Sequence, residues 1–112
     1  ERTEMVETSI KGLDNIKVEQ FNGLLMNYAE SKHANIIIRG LRVLSDFEYE
    51  FKMAMMNRGL NDKISTLFMM PHIKYVHISS SLIKEVSSLG GDISSYVPSN
   101  ILEKIHRKID AK

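Results

Sequence analysis

The stretch NIIIRGLRVLSDFEYEF, residues 35–51, joins a strand to a helix and indicates the class of fold. Its Ile36-Ile37-Ile38 run is β-branched without polar alternation, which is typical of a strand buried on both faces in a parallel sheet. Ser45 and Glu48 have the S-x-x-E spacing of a capping box, so a helix is predicted from Ser45 to about Arg58. A start two or three residues earlier is the alternative.

Further helices and strands alternate on both sides of this stretch. Hydrophobic periodicity, serine caps and Gly or Pro boundaries define them. Helices are predicted over residues 1–12, over residues 24–31 and from Ser79 or Ser80 to about Leu89. A last helix is predicted to have Pro98 in its first turn. Strands are predicted over Asn15–Phe21 and Ser65–Met70. The alternation predicts an α/β fold with a parallel sheet, in a single domain spanning 1–112.

The composition excludes several classes of protein. Fifteen basic and 14 acidic residues give a formal charge of +1, so there is no basic excess for nucleic acid. No cysteine is present for disulfides or thiolate metal sites, which fits a reducing, cytoplasmic location. Apolar runs fall short of the ~20 residues of a membrane span, so no membrane partner is expected. The chain begins at Glu1, within a predicted helix, and this suggests a fragment or a processed chain.

The sequence Arg39-Gly40-Leu41-Arg42 follows the isoleucine strand directly. Ligands of open parallel sheets bind beyond the carboxyl ends of the strands. A guanidinium there can hold a phosphate through paired hydrogen bonds, and Gly40 allows the backbone to approach a ligand. We therefore predict a phosphate-binding edge at this position, the alternative being arginines that are simply solvated at a strand end.

One face of the following helix is polar. Asp46, Glu50, Met53 and Asn57 recur at i, i+4, i+7 and i+11 and therefore share that face. Glu50 and Asn57 are predicted to flank a ligand near Arg39, and a solvated polar face is the alternative. The opposite side is predicted to be core or a subunit interface, with Phe47, Phe51, Ala54 and Met55.

The segment Ile78-Ser79-Ser80-Ser81-Leu82 opens a predicted helix. Free backbone amides and serine hydroxyls at a helix N-terminus can bind an anion, and Lys84 adds a positive charge nearby. The alternative is an ordinary serine N-cap without a ligand.

The histidines do not have the spacing of a helical zinc site, so no metal ligand is assigned in this chain. They are His33, His72, His77 and His106. No P-loop, G-x-G-x-x-G or G-x-S-x-G motif occurs, which leaves a Walker ATPase and a serine hydrolase without support.

Three segments resemble the phosphopantetheine adenylyltransferases of bacterial coenzyme A synthesis. They are RGLRVLSDFEYEFKMAMMNRGL (39–60), ISSSLIKEV (78–86) and GGDISSYVP (90–98). The upstream FNGLLMNYAESKHANIII also matches, so the resemblance covers essentially the whole chain. The first segment is highly specific, whereas I-S-S-S is shared more widely among nucleotidylyltransferases. The resemblance implies the carboxy-terminal two-thirds of a Rossmann-like nucleotidylyltransferase fold, lacking its amino-terminal strand and helix.

The resemblance also implies an activity and its partners. The family transfers adenylyl from ATP to 4'-phosphopantetheine, with Mg²⁺ accompanying ATP, and forms dephospho-coenzyme A and pyrophosphate. Dephospho-coenzyme A or coenzyme A is then a further expected ligand. A homohexamer is the expected assembly.

Site residues follow from the same resemblance. Arg39 resembles the arginine that holds the phosphate of phosphopantetheine, Leu25 resembles a residue lining the pantetheine site, and Asn57 is expected to face the same pocket. ATP contacts are implied for Gly40, Leu41, Arg42 and Glu50, and for the segment Tyr75, Val76, His77, Ile78, Ser79, Ser80 and Ser81 around the adenine and triphosphate.

Two departures from the family pattern matter. Val76-His77 stands where the family usually has Ser-Phe or similar, so a serine hydroxyl contact is lost there. The family's T/H-x-G-H motif, with its transition-state histidine, and a following substrate lysine have no counterpart in 1–112, so no catalytic residue is assigned. The expected enzyme is therefore inactive as residues 1–112 alone. The alternatives are a truncated chain that binds adenine nucleotide or coenzyme A without catalysis, or a structural, oligomerising remnant.

Overall fold

The computed structural model describes residues 1–111, and these divide into two compact units. The sheet unit comprises Phe21–His77, and the helical unit comprises Glu1–Gln20 and the chain from Ile78 onward. The elements are α1 (Arg2–Ser9), α2 (Leu25–Ser31), β1 (Ile36–Gly40), α3 (Leu44–Leu60), β2 (Ser65–Met69), a 3₁₀ turn (Ile73–Tyr75), α4 (Ser80–Ser88) and α5 (Ser99–Asp110). No helix in the described part is long and apolar enough to cross a membrane. The single domain over 1–112 stays a prediction.

The sheet unit contains a β–α–β arrangement. β1 and β2 pair in parallel, with Ile36 opposite Ser65 and Gly40 opposite Met69, and α3 connects them. A parallel pair needs such a crossover because the chain must return to the same end of the sheet. The predicted α/β class with a parallel sheet is confirmed.

The core of the sheet unit lies under one face of the sheet. Met26, Ala29 and Ile64 are buried together, and Leu25 and Ile37 pack against them. Successive side chains of a strand point to opposite faces, so the neighbours of Ile37 point away from this core. Those neighbours, Ile36 and Ile38, are 51% and 62% exposed. The prediction that this strand is buried on both faces was therefore wrong for the described chain.

The predicted strand at Asn15–Phe21 does not form. The alternation there suits a strand, but a strand also needs a neighbour that completes its hydrogen bonds. In the described residues the sheet contains β1 and β2 alone, and neither pairs with this segment. At the end of the segment, the Phe21 ring stacks on Tyr28 at 4.4 Å between centroids.

α3 begins two residues earlier than the predicted capping box requires, which agrees with the alternative of an earlier start. Val43 is its N-cap and makes no side-chain cap hydrogen bond. Ser45 therefore lies inside the first turn, so the predicted Ser45–Glu48 box was wrong. Asp46 instead accepts a hydrogen bond from the backbone N–H of Arg42 at 3.3 Å.

The helical unit is organised around Ile83, Ile93 and Ser87, which are buried. The Ser79 hydroxyl caps α4 by accepting from the Leu82 N–H at 3.2 Å, as predicted. Pro98 is the N-cap of α5 and does not lie in its first turn, because its extended ψ of 151° places it just outside the helix. Asn100 on α5 donates to the Met5 carbonyl at 3.2 Å and so joins α5 to α1.

Candidate ligand site

A cavity of about 220 Å³ lies within the sheet unit, along α3 and the two strands. Its lining residues come from α2, β1, α3 and β2 and are Leu25, Ile37, Arg39, Tyr49, Glu50, Met53, Ala54, Asn57 and Thr66. Four of the predicted site residues, Leu25, Arg39, Glu50 and Asn57, are thus brought to one cavity. Glu50 and Asn57 share the cavity with Met53 because helical periodicity places these three residues on one face of α3.

Arg39 and Glu50 form a bidentate ion pair in the cavity wall. Nε of Arg39 donates to Oε2 at 2.8 Å, and Nη2 donates to Oε1 at 2.5 Å. The side chains are 48% and 12% exposed respectively, so Glu50 is the more withdrawn partner. The hydrogen bond from Arg39 lowers the pKa of Glu50, and the same bond raises the pKa of Arg39. Both groups are therefore charged at neutral pH.

A second arginine pairs with a carboxylate one helical turn earlier on α3. Nε of Arg42 donates to Oδ2 of Asp46 at 3.0 Å, and this bond lowers the pKa of Asp46. The phosphate-binding edge predicted from Arg39 and Arg42 thus has a carboxylate beside each guanidinium. The charges of that edge are balanced within the sheet unit.

The backbone between the two arginines leaves space for a ligand. Leu41 donates its N–H to the Met69 carbonyl at 2.9 Å and so extends the ladder past the end of β1. Apart from Gly40 and its two chain neighbours, no heavy atom of the described residues lies within 4 Å of the position that a Cβ of Gly40 would occupy. This space is compatible with the predicted approach of a ligand to Gly40, but that approach and an ATP contact there stay predictions.

The rest of the cavity lining is mixed, with both apolar and polar side chains. Leu25, Met53 and Ala54 contribute carbon surface, while Asn57 and Thr66 contribute polar side chains. Thr66 was not predicted, although it stands opposite Ile37 in the parallel register. Only that register brings it to the cavity, so pattern analysis of single segments could not find it.

The prediction for the opposite side of α3 is partly wrong. Ala54 lines the cavity and does not lie on the opposite side. Phe47, Phe51 and Met55 are 43%, 48% and 58% exposed, so they are not core in the described chain. The two phenylalanine rings stack at 5.7 Å between centroids. The alternative, a subunit interface, stays a prediction.

The predicted segment Tyr75–Ser81 is shared between the two units. Tyr75 ends the 3₁₀ turn of the sheet unit, and Lys74 lies over its ring at 5.3 Å from the centroid. In the helical unit, Ser79 caps α4 and its Oγ lies 3.1 Å from Oγ of Ser81, while Ser80 is exposed. The ATP contacts that the family resemblance implies for Val76, His77, Ile78 and Ser80 stay predictions.

No group of three or more His, Cys, Asp or Glu side chains within residues 1–111 is arranged to hold a metal ion. The carboxylates nearest the candidate site, Asp46 and Glu50, are bonded to arginines. Among the histidines, His72 accepts at Nδ1 from the Lys74 backbone N–H at 3.1 Å and so caps the 3₁₀ turn.

Comparison with known proteins places this chain in a family. Residues 1–86 match the cytidylyltransferase-like family model. A phosphopantetheine adenylyltransferase of Desulfosudis oleivorans is 50% identical over 97% of this chain and 65% of its own length. One from Clostridium botulinum (strain Langeland) is 47% identical over 100% of this chain and 68% of its own length. The chain belongs to the phosphopantetheine adenylyltransferase family.

Membership of this family agrees with the resemblance of residues 39–60 and 78–98 and confirms the predicted fold class. The cytidylyltransferase-like match and the parallel β–α–β arrangement are consistent with a Rossmann-like nucleotidyltransferase fold. A third relative, from Heliobacterium modesticaldum, is 44% identical over 96% of this chain. The chain spans about 65% of the length of the curated relatives it matches.

Proposed function

We propose that the protein transfers the adenylyl group of ATP to 4'-phosphopantetheine, giving dephospho-coenzyme A and pyrophosphate in coenzyme A biosynthesis. The observation that carries this proposal is the cavity that Arg39, a residue of β1, lines together with apolar side chains. Relatives at 44–50% identity that are named phosphopantetheine adenylyltransferases support it.

The mixed lining of the cavity suits the two chemically different parts of phosphopantetheine. Its phosphate is a doubly charged anion, which a planar guanidinium can hold through two parallel hydrogen bonds. Its pantetheine arm carries methyl groups, amides and a thiol. Leu25 and Met53 offer carbon surface to the arm, and Asn57 offers an amide that can bond to its peptide groups. We assign Arg39, Leu25 and Asn57 to phosphopantetheine on these grounds.

The reaction that we propose is an in-line displacement. A phosphate oxygen of phosphopantetheine attacks the α-phosphorus of ATP, the new P–O bond forms, and the bond to the β-phosphate oxygen breaks. Pyrophosphate leaves with the electron pair. Such a reaction depends mainly on positioning of the reactants and on neutralisation of phosphate charge.

ATP is proposed to enter as its Mg²⁺ complex. Mg²⁺ usually retains several waters and binds through substrate phosphates with only one or two carboxylates. Gly40, Leu41 and Arg42 and the segment Tyr75–Ser81 are proposed to contact the nucleotide, as the family resemblance implies. The guanidinium of Arg42, which is ion-paired with Asp46, is proposed to release Asp46 and to bind the phosphates of ATP.

Residues 1–112 are proposed to be inactive alone because they contain no T/H-x-G-H motif. Binding of adenine nucleotide or coenzyme A without turnover is the second candidate. It is favoured by the same observation, since the cavity is present without that motif. A homo-oligomer, a hexamer by family resemblance, is proposed to form through the exposed apolar side of α3, where Phe47, Phe51 and Met55 lie.

The test is an assay of the full-length protein with ATP, Mg²⁺ and 4'-phosphopantetheine. Dephospho-coenzyme A is detected by mass spectrometry, and pyrophosphate release is measured in parallel. Stoichiometric formation of both products is expected. Binding of both substrates without product by the full-length protein would replace the enzyme with the binding candidate, and binding of neither would leave the structural remnant.

A further inference from the structure

We infer that Glu50 is a positioning residue, which holds Arg39 by one edge of its guanidinium so that the other edge meets the phosphate of phosphopantetheine. The inference rests on the proposed function and differs from the ATP contact that family resemblance implies for Glu50. It concerns the cavity of the sheet unit, where both side chains lie.

The guanidinium has two edges that can bind an oxyanion in parallel. Glu50 occupies the edge formed by Nε and Nη2, at 2.8 and 2.5 Å. Within residues 1–111, no group accepts a hydrogen bond from Nη1 of Arg39. The edge formed by Nη1 and Nη2 therefore remains available, and its two N–H groups match the spacing of two phosphate oxygens.

Arg39 and Glu50 differ in solvent exposure, and this difference indicates which of them meets the ligand. Glu50 is 12% exposed and projects from the middle of the 17-residue helix α3, whereas Arg39 is 48% exposed. The glutamate is thus the fixed, withdrawn partner and the arginine is the accessible one. An anion that arrives from solvent therefore has more of Arg39 than of Glu50 to contact.

The Arg39–Glu50 ion pair is expected to contribute more to ligand affinity than to folding stability. Ion pairs that remain partly in water contribute little to stability because solvent screens them. A long arginine side chain must, however, be ordered when it binds a ligand, and this ordering weakens the binding. Glu50 orders the side chain in advance. The expected loss on removing Glu50 is about three- to tenfold in affinity for phosphopantetheine, the usual cost of ordering one such side chain on binding.

A double-mutant cycle on the full-length protein tests the inference. The dissociation constant of phosphopantetheine is measured by calorimetry for wild type, Glu50→Ala, Arg39→Ala and the double variant. If Glu50 acts through Arg39, Glu50→Ala weakens binding in the wild-type background and changes it less than about twofold in the Arg39→Ala background. Glu50→Gln retains one acceptor oxygen for the guanidinium and is expected to fall between wild type and Glu50→Ala.

Three outcomes overturn the inference. Equal losses in both backgrounds would mean that Glu50 acts independently of Arg39. Tighter binding by Glu50→Ala would make Glu50 a competitor of the phosphate. A rise in the KM for ATP on Glu50→Ala that persists without Arg39 would show a direct ATP contact. Failure of the wild type to bind phosphopantetheine would instead reject the proposed function, so the two failures are distinguishable.

Discussion

Asp46 accepts hydrogen bonds from both the backbone and the side chain of Arg42, at 3.3 Å from N and 3.0 Å from Nε. It lies in the first turn of α3, where a negative charge interacts favourably with the helix dipole. The backbone bond stabilises the turn that leads into the helix, and the side-chain bond orients the guanidinium. One carboxylate therefore links the start of α3 to the candidate site.

This arrangement predicts a pH-dependent contribution to stability. Arg42 lowers the pKa of Asp46, so the folded protein keeps the carboxylate ionised to a lower pH than the unfolded chain does. The contribution is present above the ordinary pKa and is lost as pH falls through the lowered one. We expect the Tm difference between wild type and Asp46→Asn to be largest near pH 7 and to shrink below about pH 4. Thermal denaturation across this range measures it, and a pH-independent difference would contradict the prediction.

Arg39→Ala should weaken phosphopantetheine binding. Loss of a charge-assisted hydrogen bond costs about 1.5–3 kcal/mol, which corresponds to roughly ten- to a hundredfold in the dissociation constant. ATP binding should suffer less. Arg58→Ala is the matched control, because Arg58 is an exposed arginine in the last turn of the same helix that carries Glu50. An unchanged KM for phosphopantetheine in Arg39→Ala would remove the role assigned to Arg39.

Ser79→Ala should destabilise the helical unit. The Ser79 hydroxyl accepts from the Leu82 N–H at 3.2 Å, and removal of such an N-cap costs about 0.5–2 kcal/mol. Ser80→Ala is the control, because Ser80 is an exposed residue at the first position of α4. Urea denaturation should separate the two variants. If Ser80→Ala leaves stability unchanged but raises the KM for ATP, the nucleotide role proposed for Ser80 gains direct support.

Gly91→Ala should also destabilise the protein. A Cβ at Gly91 would overlap Cγ1 of Val86 and would lie 3.0 Å from the Val86 carbonyl oxygen. Relief of such a clash requires backbone movement, with a cost of about 1–3 kcal/mol. Gly59→Ala is the matched control, because it lies in α3 with no atom within 4 Å of an added Cβ. Gly59→Ala should stabilise by up to about 1 kcal/mol, since alanine is the better helix former. Equal Tm shifts in the two variants would refute this packing argument.

The local elements could largely be predicted from sequence. The isoleucine run predicted β1, and the periodicity that aligned Glu50 with Asn57 predicted the face of α3 that lines the cavity. The serines at positions 79 and 80 predicted a cap for α4, and the structure shows that Ser79 is the one that forms it. These predictions succeeded because helical phase, capping and strand propensity depend on residues a few positions apart. The resemblance of the longer segments to known sequences also predicted the family to which the chain belongs.

Sequence patterns were thus sufficient to predict the α/β class, the polar face of α3 and the candidate residues. Tertiary structure alone decided which partners they meet. Asn15–Phe21 has the pattern of a strand but finds no partner, and Thr66 reaches the cavity through its register with Ile37. Glu50 turns out to bind Arg39, 11 residues away. Sheet register and ion pairs depend on distances between elements, and the spacing of residues within one segment does not contain those distances.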